Sequence, residues 1–280
     1  IITLLLVATG ASADPIRIAT WHVELSRKGP GLLLRDILQD KTSDIVTISQ
    51  TIGRFSPDVL VLTGIDWDHG GAALSALADR FEAAGTAYPH QFALRPNRGI
   101  PTGIDLDGDG YTDGPADSQG FGWFTGQNGM AILSKFPIDT SNVVDLSGLL
   151  WADVPDALLP EVDGAPFPSA EAIAVQRLST TGHWAVPIET DHGRITVLAY
   201  AAGTPVFDGP EDRKGKRNHD ENLLWLRYLE GALPYDPPKG LVVIAGNANQ
   251  DPQDGEGLKD AINTVLGSPR IQDARPKSTQ

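Results

Sequence analysis

The strongest constraint on the fold is a strand–helix–strand opening followed, in the second half of the chain, by a tight hairpin. Ile16 to Glu24 alternates apolar and β-branched residues and reads as a strand, and Pro57-Asp58 leads into Val59-Leu60-Val61-Leu62, which reads as a buried one. Between them Ser43 offers an N-cap before Asp44, and Ile45, Ile48 and Ile52 recur at helical spacing until Gly53. Ala72 to Ala84 is a second helical stretch closed by Gly85, and Leu94 to Gly126 is a long loop rich in Gly, Pro and Asp. A short strand follows at Met130 to Leu133. Trp184 to Glu189 and Arg194 to Ala201 then form a hairpin around Asp191-His192-Gly193. Asn218 to Leu229 reads as a helix, Leu241 to Ala245 as an apolar strand and Gly257 to Leu266 as a last helix. Hairpins mixed with helices favour an α+β layered sandwich in one domain over a regular parallel α/β fold.

With 280 residues, 41% of them hydrophobic, the chain can bury a substantial core. Its formal charge of −14 repels polyanions, which argues against sequence-independent binding of long nucleic acid and leaves smaller phosphorylated ligands open. Residues 1–13 begin with an apolar run and end in Ala11-Ser12-Ala13, the pattern of a secretory signal-peptide remnant cleaved before Asp14. That run is too short to span a bilayer. The expectation is an exported protein, periplasmic or extracellular, whose mature domain occupies 14–280. The absence of cysteine rules out disulfides and thiolate metal sites.

Five segments carry chemistry in a telling order: Thr20-Trp21-His22-Val23, Leu62-Thr63-Gly64-Ile65-Asp66, Gly129 through Lys135, the strand ending Tyr200-Ala201, and Gly246-Asn247-Ala248-Asn249. Together they resemble the successive strand-end motifs of the endonuclease/exonuclease/phosphatase family. The stretch from Phe207 through Asn218 is similar to a bacterial subgroup of it. The resemblance implies a four-layer α/β/β/α sandwich of two mixed, largely antiparallel sheets, with a site where loops gather at one edge. It also implies a magnesium or manganese ion acting on a phosphodiester or a phosphorylated small molecule.

At the positions that match the family's site, His22 stands for the usual Asn, Gly64 for the metal-binding Glu, Ala201 for the phosphate-contacting His and Asn247 for Asp; Asn249 alone matches. No segment resembling the family's last Asp-bearing strand or terminal Ser-Asp-His follows, so the expected domain is incomplete at its C-terminus. Gly64 offers no ligand atom, an amide at 247 cannot take a proton, and Ala201 can neither donate nor act as acid. Asp66 and Asp68 are the candidates for replacement ligands, and His22 could bind a transition metal or carry a proton. Arg213 and Arg217 are candidate phosphate contacts in a mixed-charge segment that otherwise reads as a solvated turn. His219-Asp220-Glu221 reads as a helix start whose acids suit the helix dipole.

A second constellation lies in the long loop. Asp105, Asp107, Asp109, Gly110, Tyr111 and Asp113 follow the first part of a calcium loop, with Ala116 at the twelfth position and Asp117 one beyond. The alternative is an acidic turn whose Asp and Gly satisfy local backbone geometry. Asp191-His192 and a distant Ser define no triad without geometry. The six tryptophans are too scattered to form a stacking platform and suit core packing. Three functions remain in competition: a catalytically degenerate family member, a phosphodiesterase or phosphatase with a rebuilt site, and a calcium-stabilised interaction domain.

Overall fold

The computed structural model describes residues 14–39 and 42–275; the leader expectation falls on residues outside that range. In chain order the elements are β1 (Ile18–Leu25), α1 (Leu32–Gln39), α2 (Ser43–Phe55), β2 (Val59–Ile65), α3 (Ala72–Ala83), β3 (His90–Phe92) and β4 (Gly129–Ser134). There follow β5 (Val144–Asp145), β6 (Glu161–Val162), β7 (Ala165–Pro166), α4 (Ala170–Val175), β8 (His183–Thr190), β9 (Gly193–Ala201), α5 (Arg213–Leu229), β10 (Leu241–Asn247) and α6 (Asp260–Gly267).

Two four-stranded sheets result, ordered β1-β2-β4-β3 and β10-β9-β8-β5. Each carries one parallel pair, β1 with β2 and β10 with β9, and is otherwise antiparallel. The period-2 alternation of strands sends successive side chains to opposite layers. Val59 and Val61 of β2 meet Trp184, Val186, Val197 and Ala199 between the sheets. Leu60 and Leu62 face outward onto Leu33, Ile37, Ile45, Ile48, Leu77 and Phe81 of the first three helices. Leu198 and Tyr200 of β9 face the other way, onto Leu224, Trp225 and Tyr228 of α5. Helix, sheet, sheet and helix thus form four layers, as expected.

Three local expectations change. Two helices, not one, separate β1 from β2, because Leu33 and Ile37 add a turn-and-a-half of apolar face before α2. Helix α5 starts at Arg213, five residues earlier than Asn218, with polar residues on its buried face. Trp151, Trp184 and Trp225 are fully buried, whereas Trp123 is exposed. Among the described residues no helix is long and apolar enough to cross a membrane.

Candidate functional site

The ends of β1, β2, β9 and β10 meet at one edge of the sandwich. Register places His22 beside Thr63 and Asn247 beside Ala201, and Thr20 Oγ1 donates to the Gly246 carbonyl at 3.2 Å, joining the two sheets. His22, Gly64, Ala201, Asn247 and Asn249 therefore do lie around one edge. Their chemistry points inward to the scaffold.

Gly64 sits where the register of β2 shifts, with φ of +80°, a left-handed conformation that glycine adopts without penalty. A Cβ built there would lie 2.8 Å from His22 Cε1 and 3.1 Å from its Nδ1. The His22 ring thus fills the space into which a side chain at 64 would grow, with Nδ1 3.0 Å from Thr63 Oγ1. Ala201 is buried between the sheets, its methyl part of the core. Asn247 Oδ1 accepts the Asn249 N–H at 2.9 Å, and Asn249, itself at φ +50°, donates from Nδ2 to the Ala202 carbonyl at 3.0 Å. The family-matching residue is tied to backbone.

The two proposed replacement ligands are also committed. Buried Asp66 accepts from Ser26 Oγ, the Arg27 N–H and the Asn128 N–H at 2.7 to 2.9 Å, which joins three loops at the strand ends. Asp68 accepts the N–H groups of Ala72 and Ala73, each at 2.8 Å, and anchors the first turn of α3. Both carboxylates serve where sequence spacing suggested metal ligation, because unpaired N–H groups at loop junctions and helix starts compete for them. Among the described residues only one group of three His, Asp or Glu side chains can converge on an ion, and it is not at this edge. A magnesium or manganese ion therefore finds no fitting donor set here: a ring carbon stands in the ligand position, and the nearby oxygens already accept N–H groups.

The converging group is Asp105, Asp107 and Asp109, with one oxygen of each within 4.8 Å of the others. Asp105 accepts the N–H groups of Gly108 and Gly110, Asp107 that of Asp109, and Asp109 that of Tyr111. These backbone bonds overcome burial and hold the Asp105 carboxyl below its usual range. Partial burial and the neighbouring charges of Asp109, Asp117 and Asp105 push Asp107 up. Tyr111 and Asp113 are exposed and lie outside the convergence, and Asp117 turns inward to accept from Leu106 and Gly114 N–H.

Arg213 and Arg217 are not on a solvated turn. Both are over nine-tenths buried on the inner face of α5, where Arg213, Arg217, Glu221 and Trp225 follow at four-residue steps. That spacing was the overlooked signal for a buried face. Arg217 donates from Nε and Nη2 to the carbonyls of Leu178, Gln119, Arg177 and Ser179, so it braces the loops rather than presenting itself to a ligand. Arg213 makes one bond, from Nε to Gln176 Oε1 at 3.2 Å, and with Arg98 lines a cavity of about 680 Å³ beyond the end of β9. Asp220 and Glu221 do not cap a helix. Asp220 accepts Trp151 Nε1 and Leu158 N–H at 2.7 Å, and Glu221 accepts from Thr180 and Gly203 N–H, both acids fully buried. Burial pushes Glu221 up despite Arg217.

The chain is a helix-flanked two-sheet sandwich with strand ends gathered at one edge. Endonuclease/Exonuclease/phosphatase family matches residues 36–279, and the chain belongs to that family. Among solved structures it is similar to an endonuclease/exonuclease/phosphatase from Beutenbergia cavernae DSM 12333, with a TM-score of 0.50 and 18% identity over 90% of this chain. The match covers 53% of that protein, so this chain spans about half its length. It is also similar to a Staphylococcus aureus beta toxin variant with bound magnesium ions (TM-score 0.45, 13% identity, 89% of this chain and 68% of that one). Sphingomyelinase C from Streptomyces griseocarneus gives 0.46 and 17%, covering 90% of this chain and 69% of that one. No curated protein sequence matches.

Proposed function

We propose that this is an exported, catalytically degenerate member of the family that works by binding a phosphorylated small molecule rather than by hydrolysing one. The observation that carries this reading is the His22 ring in the space of a side chain at residue 64. Losing one acid–base or electrostatic group costs about 10²- to 10⁴-fold in rate, and here three such groups are substituted together. The rebuilt-site alternative has no support from Asp66 or Asp68, whose oxygens accept N–H groups.

The test is turnover by purified protein on nitrophenyl phosphate, bis-nitrophenyl phosphate and a phosphodiester lipid, each with Mg²⁺, Mn²⁺ or Ca²⁺. No metal-dependent release above buffer is expected. Turnover abolished by His22→Ala would establish the rebuilt enzyme instead. Export is tested by expressing the full reading frame in a bacterial host and locating the protein: retention in the cytoplasm would sink that part.

A second reading rests on the converging oxygens of Asp105, Asp107 and Asp109: a cation, with calcium the hard ion that suits such a loop, orders this segment. Calorimetric titration with Ca²⁺ checks it, with Asp107→Ala plus Asp109→Ala as the control that must lose the signal.

A further inference from the structure

The cavity beyond β9 differs from the strand-end edge in one respect that decides its chemistry. Arg98, Arg213, Lys214 and Arg217 all line it, and among the described residues none of the four forms an ion pair with a carboxylate. Buried guanidinium groups are normally paired; here Asp107, Asp117, Asp208 and Glu211 offset the charge of Arg213 through space, but none of them forms an ion pair with it. Arg217 is held by carbonyls and fixes the floor. Arg98 is held only through Nε to Thr181 Oγ1 and Nη1 to the Phe121 carbonyl, and Arg213 only through Nε. Burial lowers Arg213, and burial together with the charges of Arg213 and Arg98 brings Arg217 down to about 10 despite Glu221. Phe121, Phe167 and Phe207 bring aromatic surface to the lining, and Phe207 is 84% exposed at φ +70°, with its carbonyl held by Lys214 Nζ. A bulky residue in that conformation, carrying an exposed aromatic ring, is strain of the kind that collects at ligand sites.

We propose that this cavity binds a phosphomonoester of an apolar or aromatic alcohol, its phosphate on the free guanidinium nitrogens of Arg98 and Arg213 and its organic part against the phenylalanine rim. Guanidinium forks match phosphate oxygens, and two of them with an ammonium favour a dianion over a carboxylate. Asp107, Asp208 and Glu211 also line the cavity and offset part of its positive charge, so that what remains suits one small anion and not a polyanion. None of the strand-end residues takes part, so the site stands whether or not that edge turns over.

The test is calorimetry on the intact chain with phenyl phosphate, inorganic phosphate, benzoate and phenol. Phenyl phosphate is expected to bind saturably, with inorganic phosphate and benzoate each weaker and phenol silent. Arg213→Met should weaken phenyl phosphate by about tenfold or more, the loss of a charge-assisted bond. Its melting temperature without ligand should stay close to the parent's, because only the bond to Gln176 is lost; a merely structural arginine would lower it. Phe207→Ala, at an exposed position that cannot unfold the protein, should cost about threefold or more on phenyl phosphate and leave inorganic phosphate unchanged. Absence of saturable phenyl phosphate binding, or affinity unmoved by Phe207→Ala and Arg213→Met, overturns the proposal. Phosphate release from the same samples reports on the strand-end edge separately.

Discussion

Two polar regions of this protein handle their side chains in opposite ways. At the strand-end edge the polar side chains at the family positions and the two acids beside them have partners in the scaffold: Asp66 and Asp68 accept N–H groups, Asn247 closes a local turn, Asn249 donates to the Ala202 carbonyl, and His22 leans on Thr63. In the cavity beyond β9, guanidinium nitrogens of Arg98 and Arg213 face open space without an ion pair, although Asp107, Asp208 and Glu211 line the same cavity. The first arrangement is what remains when a site becomes structure. The second keeps an electrostatic cost that folding alone does not need.

The contrast is sharpest within α5, one turn apart. Arg217→Met would leave four carbonyls without their donor and remove the charge that acts through space on buried Glu221, and is expected to destabilise by about 3 to 5 kcal/mol, as breaking buried charged networks does. Arg213→Met should stay within about 1 kcal/mol of the parent, in either direction. Urea unfolding of both variants checks this; equal losses would erase the distinction between brace and ligand group.

Restoring a carboxylate at the strand-end edge is the next largest effect. Gly64→Glu must place a side chain at φ +80° and displace the exposed His22 ring, and backbone strain with that displacement predicts a loss of about 1 to 3 kcal/mol. Adding His22→Ala should relieve the clash but not the strain, so the double variant recovers only part of the loss in a double-mutant cycle. Full additivity would mean that the ring does not fill the space of residue 64.

The layers of this fold were legible because they rest on alternation and helical spacing: Leu60 and Leu62 against Val59 and Val61 already divide the two cores. The family edge was legible too, as positions. What the sequence could not give was the direction in which polar groups point. Asp66 and Asp68 share the residue type of a metal ligand, and only the geometry reveals the N–H groups of Arg27, Asn128, Ala72 and Ala73 that take them. The segment from Arg213 to Glu221 looked like a solvated charge run because burial of charge is rare, and its four-residue spacing mattered more than its polarity.

Two histidines extend the comparison to pH. His183, fully buried with Nδ1 2.7 Å from Ser179 Oγ and Nε2 3.0 Å from the Glu221 carbonyl, is brought down to about 4 by burial. Its neutral form belongs to the fold, so its contribution is complete above the unfolded value near 6.5 and is lost as pH falls from there toward 4. The full loss amounts to about 3 kcal/mol. His219 has the opposite sign: burial works against its charge, but Asp220 and Asp260 outweigh it and raise the imidazole. Its contribution is present below the unfolded value and fades as pH rises through the folded one. Imidazole NMR is expected to find His219 protonated and His183 neutral at pH 5.5, and a protonated His183 in the folded protein would refute the assignment.

The smallest effect concerns the acidic loop, where the two readings of Asp105, Asp107 and Asp109 give different signs. Burial and three neighbouring acids raise Asp107, so its charge weakens the cation-free fold as pH rises through the folded value. Asp107→Asn removes that repulsion and should stabilise the cation-free protein by a few tenths to about 1 kcal/mol at pH 7. If calcium orders the loop, millimolar Ca²⁺ raises the melting temperature of the parent and not of the variant, because binding to the folded state alone adds stability that grows with ligand concentration. The order of the two proteins then reverses between chelator and calcium. If the loop is only an acidic turn, Asp107→Asn remains the more stable protein in both buffers, and the Asp–N–H bonds alone account for the spacing of turn residues within it.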